Sequence, residues 1–214
     1  CSGSDEHTAE PTMTLSGRVT AEQPMSNSDV VGTWSAISYD LGIMGVSLNS
    51  TNDLKYRLAQ TDQNGTPLPA GLAKWRIINN VLIIKWPEQD GQDECVSLAG
   101  DTSLSLYCTT IGGAADGETV QFDLTKANLV TELPGTAWIR NQVVMEFPSS
   151  TKYTLYYQDR EWTLSWSSQG VRMNLNEFAT CDFAGWTEGR TSMFLACRYQ
   201  GLSGEYLTVW GRSS

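Results

Sequence analysis

The chain has 214 residues and a formal net charge of -10, with 40% hydrophobic and 18% charged residues, so it fits one large all-β domain or two small ones. The acidic balance argues against nucleic acid, whose phosphates need clustered Lys and Arg, and against charge-driven binding to anionic lipid. No apolar run approaches the roughly 18 residues of a membrane-spanning helix.

Residues 1–29 are rich in Ser, Thr, Glu, Pro and Gly and hold few large apolar groups. Such a composition buries too little surface to fold and reads as a flexible tether, spanning on the order of 30 Å. Within it, Thr14 to Thr20 is expected to form a short strand or to dock on something.

A first β block is expected over residues 30–126, opening with a strand from Val31 to Tyr39. Leu54, Tyr56 and Leu58 alternate with Lys55 and Arg57, the pattern of a half-buried strand. Asp62-Gln63-Asn64-Gly65 is a turn that lacks the other ligands of a calcium loop. Trp75 to Trp86 reads as a hairpin turning at Asn79-Asn80, since Asn tolerates the positive φ that tight turns require. Val81 to Ile84 is apolar on both faces, which implies cover on both sides, and the second block is one candidate cover. Cys95 to Leu98 and Ser103 to Cys108 form a paired hairpin around Gly100-Asp101, and Val120, Phe122 and Leu124 alternate along a closing strand.

A second block over residues 127–214 opens with one strand ending at Phe147. Tyr153, Leu155 and Tyr157 share a face, as do Trp162, Leu164 and Trp166, and then Val171, Met173 and Leu175. A second cysteine-bearing pair follows, with Gly185-Trp186-Thr187-Glu188-Gly189 near its turn. Tyr206 to Trp210 is the last strand, apolar on both faces, so it either packs on the first block or offers a binding face. Most of the aromatic residues fall in this block.

The fold class is therefore all-β: two tandem antiparallel β-meander blocks, barrel- or sandwich-like, behind the tether. Apart from Cys1, each block holds one cysteine pair, Cys95 with Cys108 and Cys181 with Cys197. Their spacings suit neighbouring antiparallel strands, and disulfides persist in oxidising compartments. Zinc competes as a reading, but CxxC spacing is missing and the sole histidine is His7 in the tail. That histidine is also remote from any catalytic role. Asp93, Glu94, Asp101, Asp182 and Glu188 lie near the cysteine hairpins, where acidic side chains are usually solvated. Neither catalysis nor a metal nor a cofactor is expected.

The opening Cys1-Ser2-Gly3-Ser4 resembles a processed bacterial lipoprotein. That resemblance implies acyl chains, palmitate among them, on Cys1, with a free thiol as the alternative. Ser2 in place of aspartate then implies the Gram-negative outer membrane, with the chain facing the periplasm or the cell surface. Gly32-Thr33-Trp34 at the head of a β-meander resembles the Gly-x-Trp start of lipocalins and lipocalin-like bacterial domains. In those folds the Trp closes one end of an up-and-down barrel, often beneath an arginine from the last strand, a part open to Arg212. The second block departs from the pattern, reading Gly135-Thr136-Ala137-Trp138, and the Thr-Asp-Tyr signature is missing after Thr61-Asp62.

Two functions follow as expectations. The first is a non-catalytic envelope lipoprotein acting as an accessory or docking subunit, with a protein partner in the envelope. The alternative is a binding protein for an apolar or carbohydrate ligand, carried by Trp186, Trp162, Tyr157, Tyr206 and Trp210 of the aromatic second block.

Overall fold

The computed structural model describes residues 13–38, 42–59, 70–98 and 103–214. Sixteen strands form two closed antiparallel barrels of eight. The first comprises β1 (Gly32–Ser38), β2 (Gly42–Leu48), β3 (Asp53–Leu58), β4 (Gly71–Ile78), β5 (Val81–Lys85), β6 (Gln92–Leu98), β7 (Ser103–Ile111) and β8 (Thr119–Ala127). The second comprises β9 (Thr136–Arg140), β10 (Val143–Phe147), β11 (Lys152–Tyr157), β12 (Arg160–Gln169), β13 (Arg172–Leu175), β14 (Ala179–Trp186), β15 (Ser192–Tyr199) and β16 (Tyr206–Ser213). Each strand pairs with its successor, and closure pairs Trp34 with Lys126 in one barrel and Trp138 with Arg212 in the other. Closure leaves no free sheet edge among the described strands to recruit another chain.

The alternating segments fold as their periodicity dictates. Leu54 and Tyr56 point into the first core and Arg57 out of it, while Tyr153, Trp166 and Met173 point into the second. Asn79 and Asn80, at φ 49° and 64°, make the tight β4–β5 turn. Two strands escape the sequence pattern. The chain between Val31 and Leu54 contains β2, whose Gly42 and Gly45 weaken the strand signature. The single strand expected up to Phe147 is two, β9 and β10, folded back at Asn141 with φ 55°. The turns expected at residues 62–65 and at Gly100-Asp101, along with Tyr39 and Cys1, lie outside the described residues.

The two barrels repeat one plan. Each carries its disulfide between the sixth and seventh strands, Cys95–Cys108 and Cys181–Cys197, with sequence separations of 13 and 16. In both pairs the cysteines sit directly opposite one another, 4.0 Å apart at Cα. Each barrel is entered through one helical turn, α1 (Asn27–Val30) or α2 (Leu129–Glu132), followed by a tryptophan that closes the base. The Trp34 indole N–H donates to the Val30 carbonyl at 2.8 Å and lies under the Lys126 ammonium at 5.5 Å. Trp138 donates to Thr136 Oγ1 at 2.8 Å and lies under the Arg212 guanidinium at 5.1 Å. Arg212 thus covers the tryptophan of its own barrel and not Trp34.

Of the expected tether, the part from residue 13 to Met25 docks on the barrel, one of the two outcomes expected for Thr14 to Thr20. It lies against the outer face of β5 and β6 without forming a strand. Ser16 donates through its N–H (3.1 Å) and its hydroxyl (3.0 Å) to the Glu94 carboxylate, and Gln92 donates to the Thr14 carbonyl at 2.7 Å. Met25 is buried, its N–H bonded to Asn80 Oδ1. Glu94 is the cross-strand partner of Ile83, so this segment docks on the same outer face as the second apolar side of Val81–Ile84. The second barrel lies elsewhere.

That barrel packs on β1, β2 and β3 through β14. Gly45 meets the β14 backbone so closely that a Cβ there would fall 2.0 Å from the Phe183 carbonyl oxygen. Ser35 Oγ accepts the Trp186 N–H at 3.2 Å. Arg57, only 3% exposed, donates to Asp182 Oδ2 and Glu205 Oε1, both at 2.7 Å, and Arg172 holds the other Asp182 oxygen at 3.1 Å. Arg190 reaches from the base of the second barrel to Glu132 at 2.7 Å and to the Lys126 carbonyl at 3.3 Å. Contacts therefore climb both barrels in the same order, from Lys126–Arg190 at the bases to Arg57–Glu205 near the far ends. The two barrels stand side by side, with their far ends opening to one side.

Candidate ligand site at the mouth of the first barrel

The first barrel is closed at its base and, among the described residues, open at the other end. Its lower interior is wholly apolar, lined by Val30, Val46, Leu54, Leu82, Leu106 and Leu124 among others, and so narrow that only about 20 Å³ stays empty. Above Met44, Trp86 and Phe122, which border both spaces, it widens into a mouth cavity of about 440 Å³. Small-molecule sites run to about 300–1,000 Å³.

One wall of the mouth is aromatic and one is polar. Tyr56 and Trp86 meet edge to face, ring centroids 5.0 Å apart. Burial, with the Glu88 charge adding, holds the Tyr56 hydroxyl above its ordinary pKa, so it stays a neutral donor. Asp93 is 5% exposed and points inward from β6, on the same face as Cys95. It accepts from Trp86 Nε1 at 2.6 Å, Thr110 Oγ1 at 2.8 Å and Gln89 Nε2 at 3.5 Å, all uncharged donors. The Gln89 carbonyl oxygen is buried without a partner. Glu88 and Glu118 complete the acidic rim, and the described lining residues include no Lys, Arg or His.

The second barrel keeps no such space along its axis. Trp138 packs on Trp186 at 5.5 Å, Trp186 on Phe183 at 4.9 Å, and Phe147 on Trp166 at 5.0 Å, with Tyr153, Met145 and Met173 completely buried between them.

These positions correct the expected site. Trp186 is not in the turn: it ends β14, is 5% exposed, and lies in the core beneath Arg190. Trp210 is likewise core, its indole N–H bonded to Thr208 at 2.9 Å. Trp162, Tyr157 and Tyr206 are half exposed at the far end of the second barrel. Tyr157 and Trp162 are diagonal neighbours across β11 and β12, and Tyr206 lies 6.3 Å from Tyr199 on the opposite wall. The five residues therefore form no common pocket. The outer face of β16 meets solvent at Val209 instead of packing on the first barrel. Asp93, Glu94 and Asp182 are buried and hydrogen-bonded, not solvated, whereas Asp101 lies outside the described residues. Sequence reasoning missed Trp86, Gln89 and Thr110. The available signal was Asp93 itself, a carboxylate on the inward parity set by Cys95 two residues on.

Comparison of the chain with protein-family models, with curated proteins and with solved structures finds no match.

Proposed function

We propose that this protein is a non-catalytic binding protein whose first barrel takes a small ligand with an apolar body through its mouth. The observation that carries the reading is the 440 Å³ cavity, which shares Met44, Trp86 and Phe122 with the apolar interior, beside a second barrel of the same plan that is filled by its own rings. An eight-stranded barrel is just wide enough either to be packed solid or to hold one such ligand. The filled barrel acts as a scaffold, docked through the Arg57–Asp182–Glu205 cluster. Two disulfides suit work in an oxidising compartment such as a cell envelope. A docking-subunit role is less well supported, because the exposed Tyr157, Trp162 and Tyr206 specify no partner.

Calorimetric titration of the full chain with apolar probes, beside a Val120→Trp variant that plugs the mouth, tests this. Binding by the native chain and loss of it in the folded variant is the expected result. Equal binding by both, or binding by neither, refutes it.

A further inference from the structure

We infer that the ligand of the first barrel is a cationic amphiphile: an apolar body with a protonated amine or similar donor-bearing head. The inference rests on the proposed binding role and specifies its chemistry.

Among the described lining residues, the charged groups and the buried unpartnered oxygen of the mouth are all acceptors. Asp93 takes three hydrogen bonds from neutral donors, leaving room for one more on a carboxylate with about four acceptor positions. The Gln89 carbonyl oxygen is buried and unpartnered. Glu88 and Glu118 stand at the rim. A carboxylate or phosphate head would meet three carboxylates and, among the described lining residues, no cation. An ammonium head would meet opposite charge and open acceptors, while Tyr56 and Trp86 offer ring surface of the kind that attracts cations. Below the polar band the walls are Met44, Leu58, Val120 and Phe122, which suit a hydrocarbon body. Head at the rim and body inward is thus the orientation that leaves neither end mismatched.

The test uses three probes with one tail, decylamine, decanol and decanoate, each below its aggregation concentration. They are titrated at pH 7 into the full chain, into Val120→Trp, and into a Glu88→Gln/Glu118→Gln variant whose changes lie on exposed side chains. The expected result is decylamine binding about tenfold or more tighter than decanoate, as exposed to half-buried charge pairs allow. Decanol falls between them. The double variant narrows the amine-to-alcohol gap, and the plugged variant abolishes binding of all three. Decanoate binding as tightly as decylamine overturns the inference but leaves the apolar pocket standing. An amine preference that persists in Val120→Trp marks adsorption to the acidic surface and overturns it too. No binding of any probe removes the binding role itself, and the inference with it.

Discussion

Replacing Arg57 with methionine tests how the two barrels are held together. The guanidinium is buried between them and bonded at 2.7 Å to both Asp182 and Glu205. Removing one partner of a buried ion pair costs about 3–5 kcal/mol, because the other charge is left without compensation. Asp182 keeps Arg172, whose side chain is 63% exposed, and Glu205 can recover water, so the lower end, about 3 kcal/mol, is expected. Urea unfolding followed by circular dichroism measures it. Converting the cluster to uncharged groups, as Arg57→Met/Asp182→Leu/Glu205→Gln, should restore most of the loss, since desolvation of the unpaired carboxylate disappears with it. The same cluster sets an acid limit. Burial pushes Asp182 up, but the hydrogen bonds and charges of Arg172 and Arg57 outweigh it and hold the carboxyl below its ordinary value. A depressed carboxylate stabilises above its unfolded pKa of about 4 and loses that contribution as pH falls through the folded value. The Arg57→Met variant should show a shallower loss over that window. A loss under about 1 kcal/mol for Arg57→Met, with an unchanged acid profile, would refute the view that this cluster anchors the interface.

Gly45→Val should destabilise by several times the roughly 1 kcal/mol of an ordinary substitution, because the added Cβ falls 2.0 Å from the Phe183 carbonyl and rigid backbone must move. Amide exchange should then rise along β2 and β14, and a native-like exchange pattern would count against direct backbone packing. Reducing either disulfide should cost about 3 kcal/mol, from loops of 13 and 16 residues, and lower the thermal midpoint without loss of strand signal in the cold. An unchanged midpoint would contradict the stapling role. Burial, with the Glu177 charge adding, pushes the Tyr153 hydroxyl up to about 12. A raised pKa gives stability that is complete below the unfolded value near 10 and lost as pH rises toward 12, so alkaline unfolding should be delayed in Tyr153→Phe.

Periodicity made most of the strands legible. The cysteine spacings made the staples legible, and the doubled tryptophan made the two blocks legible. What stayed hidden has local physical causes. β2 was masked by the glycine that its packing demands: Gly45 lacks a side chain because the second barrel's backbone occupies that place, and its absence erases the alternation that marks a strand. The docking of residues 13–25 left little trace in the sequence because few of them anchor it, Met25 by burial and Ser16 by two bonds to Glu94, and isolated anchors leave no period.

The aromatic count pointed to the second barrel, whereas the cavity lies in the first, for an instructive reason. Strand parity says which side chains enter a barrel, but the sum of their volumes decides whether the barrel is a core or a container. Both barrels here have eight strands, a tryptophan base and a disulfide at the same place, so their frames enclose comparable space. In the second, tryptophans 138, 166, 186 and 210, with Phe147, Tyr153 and Phe183, enter that space and fill it. In the first, Tyr56, Trp86 and Phe122 also line the upper interior, but with Met44, Leu58 and Val120 beside them they leave a mouth cavity of about 440 Å³. Parity alone therefore does not separate the two cases, and the larger sum of inward ring volume marks the barrel that has closed on itself. The cavity lies in the barrel with fewer inward rings, beside the buried carboxylate of Asp93 and its neutral partners.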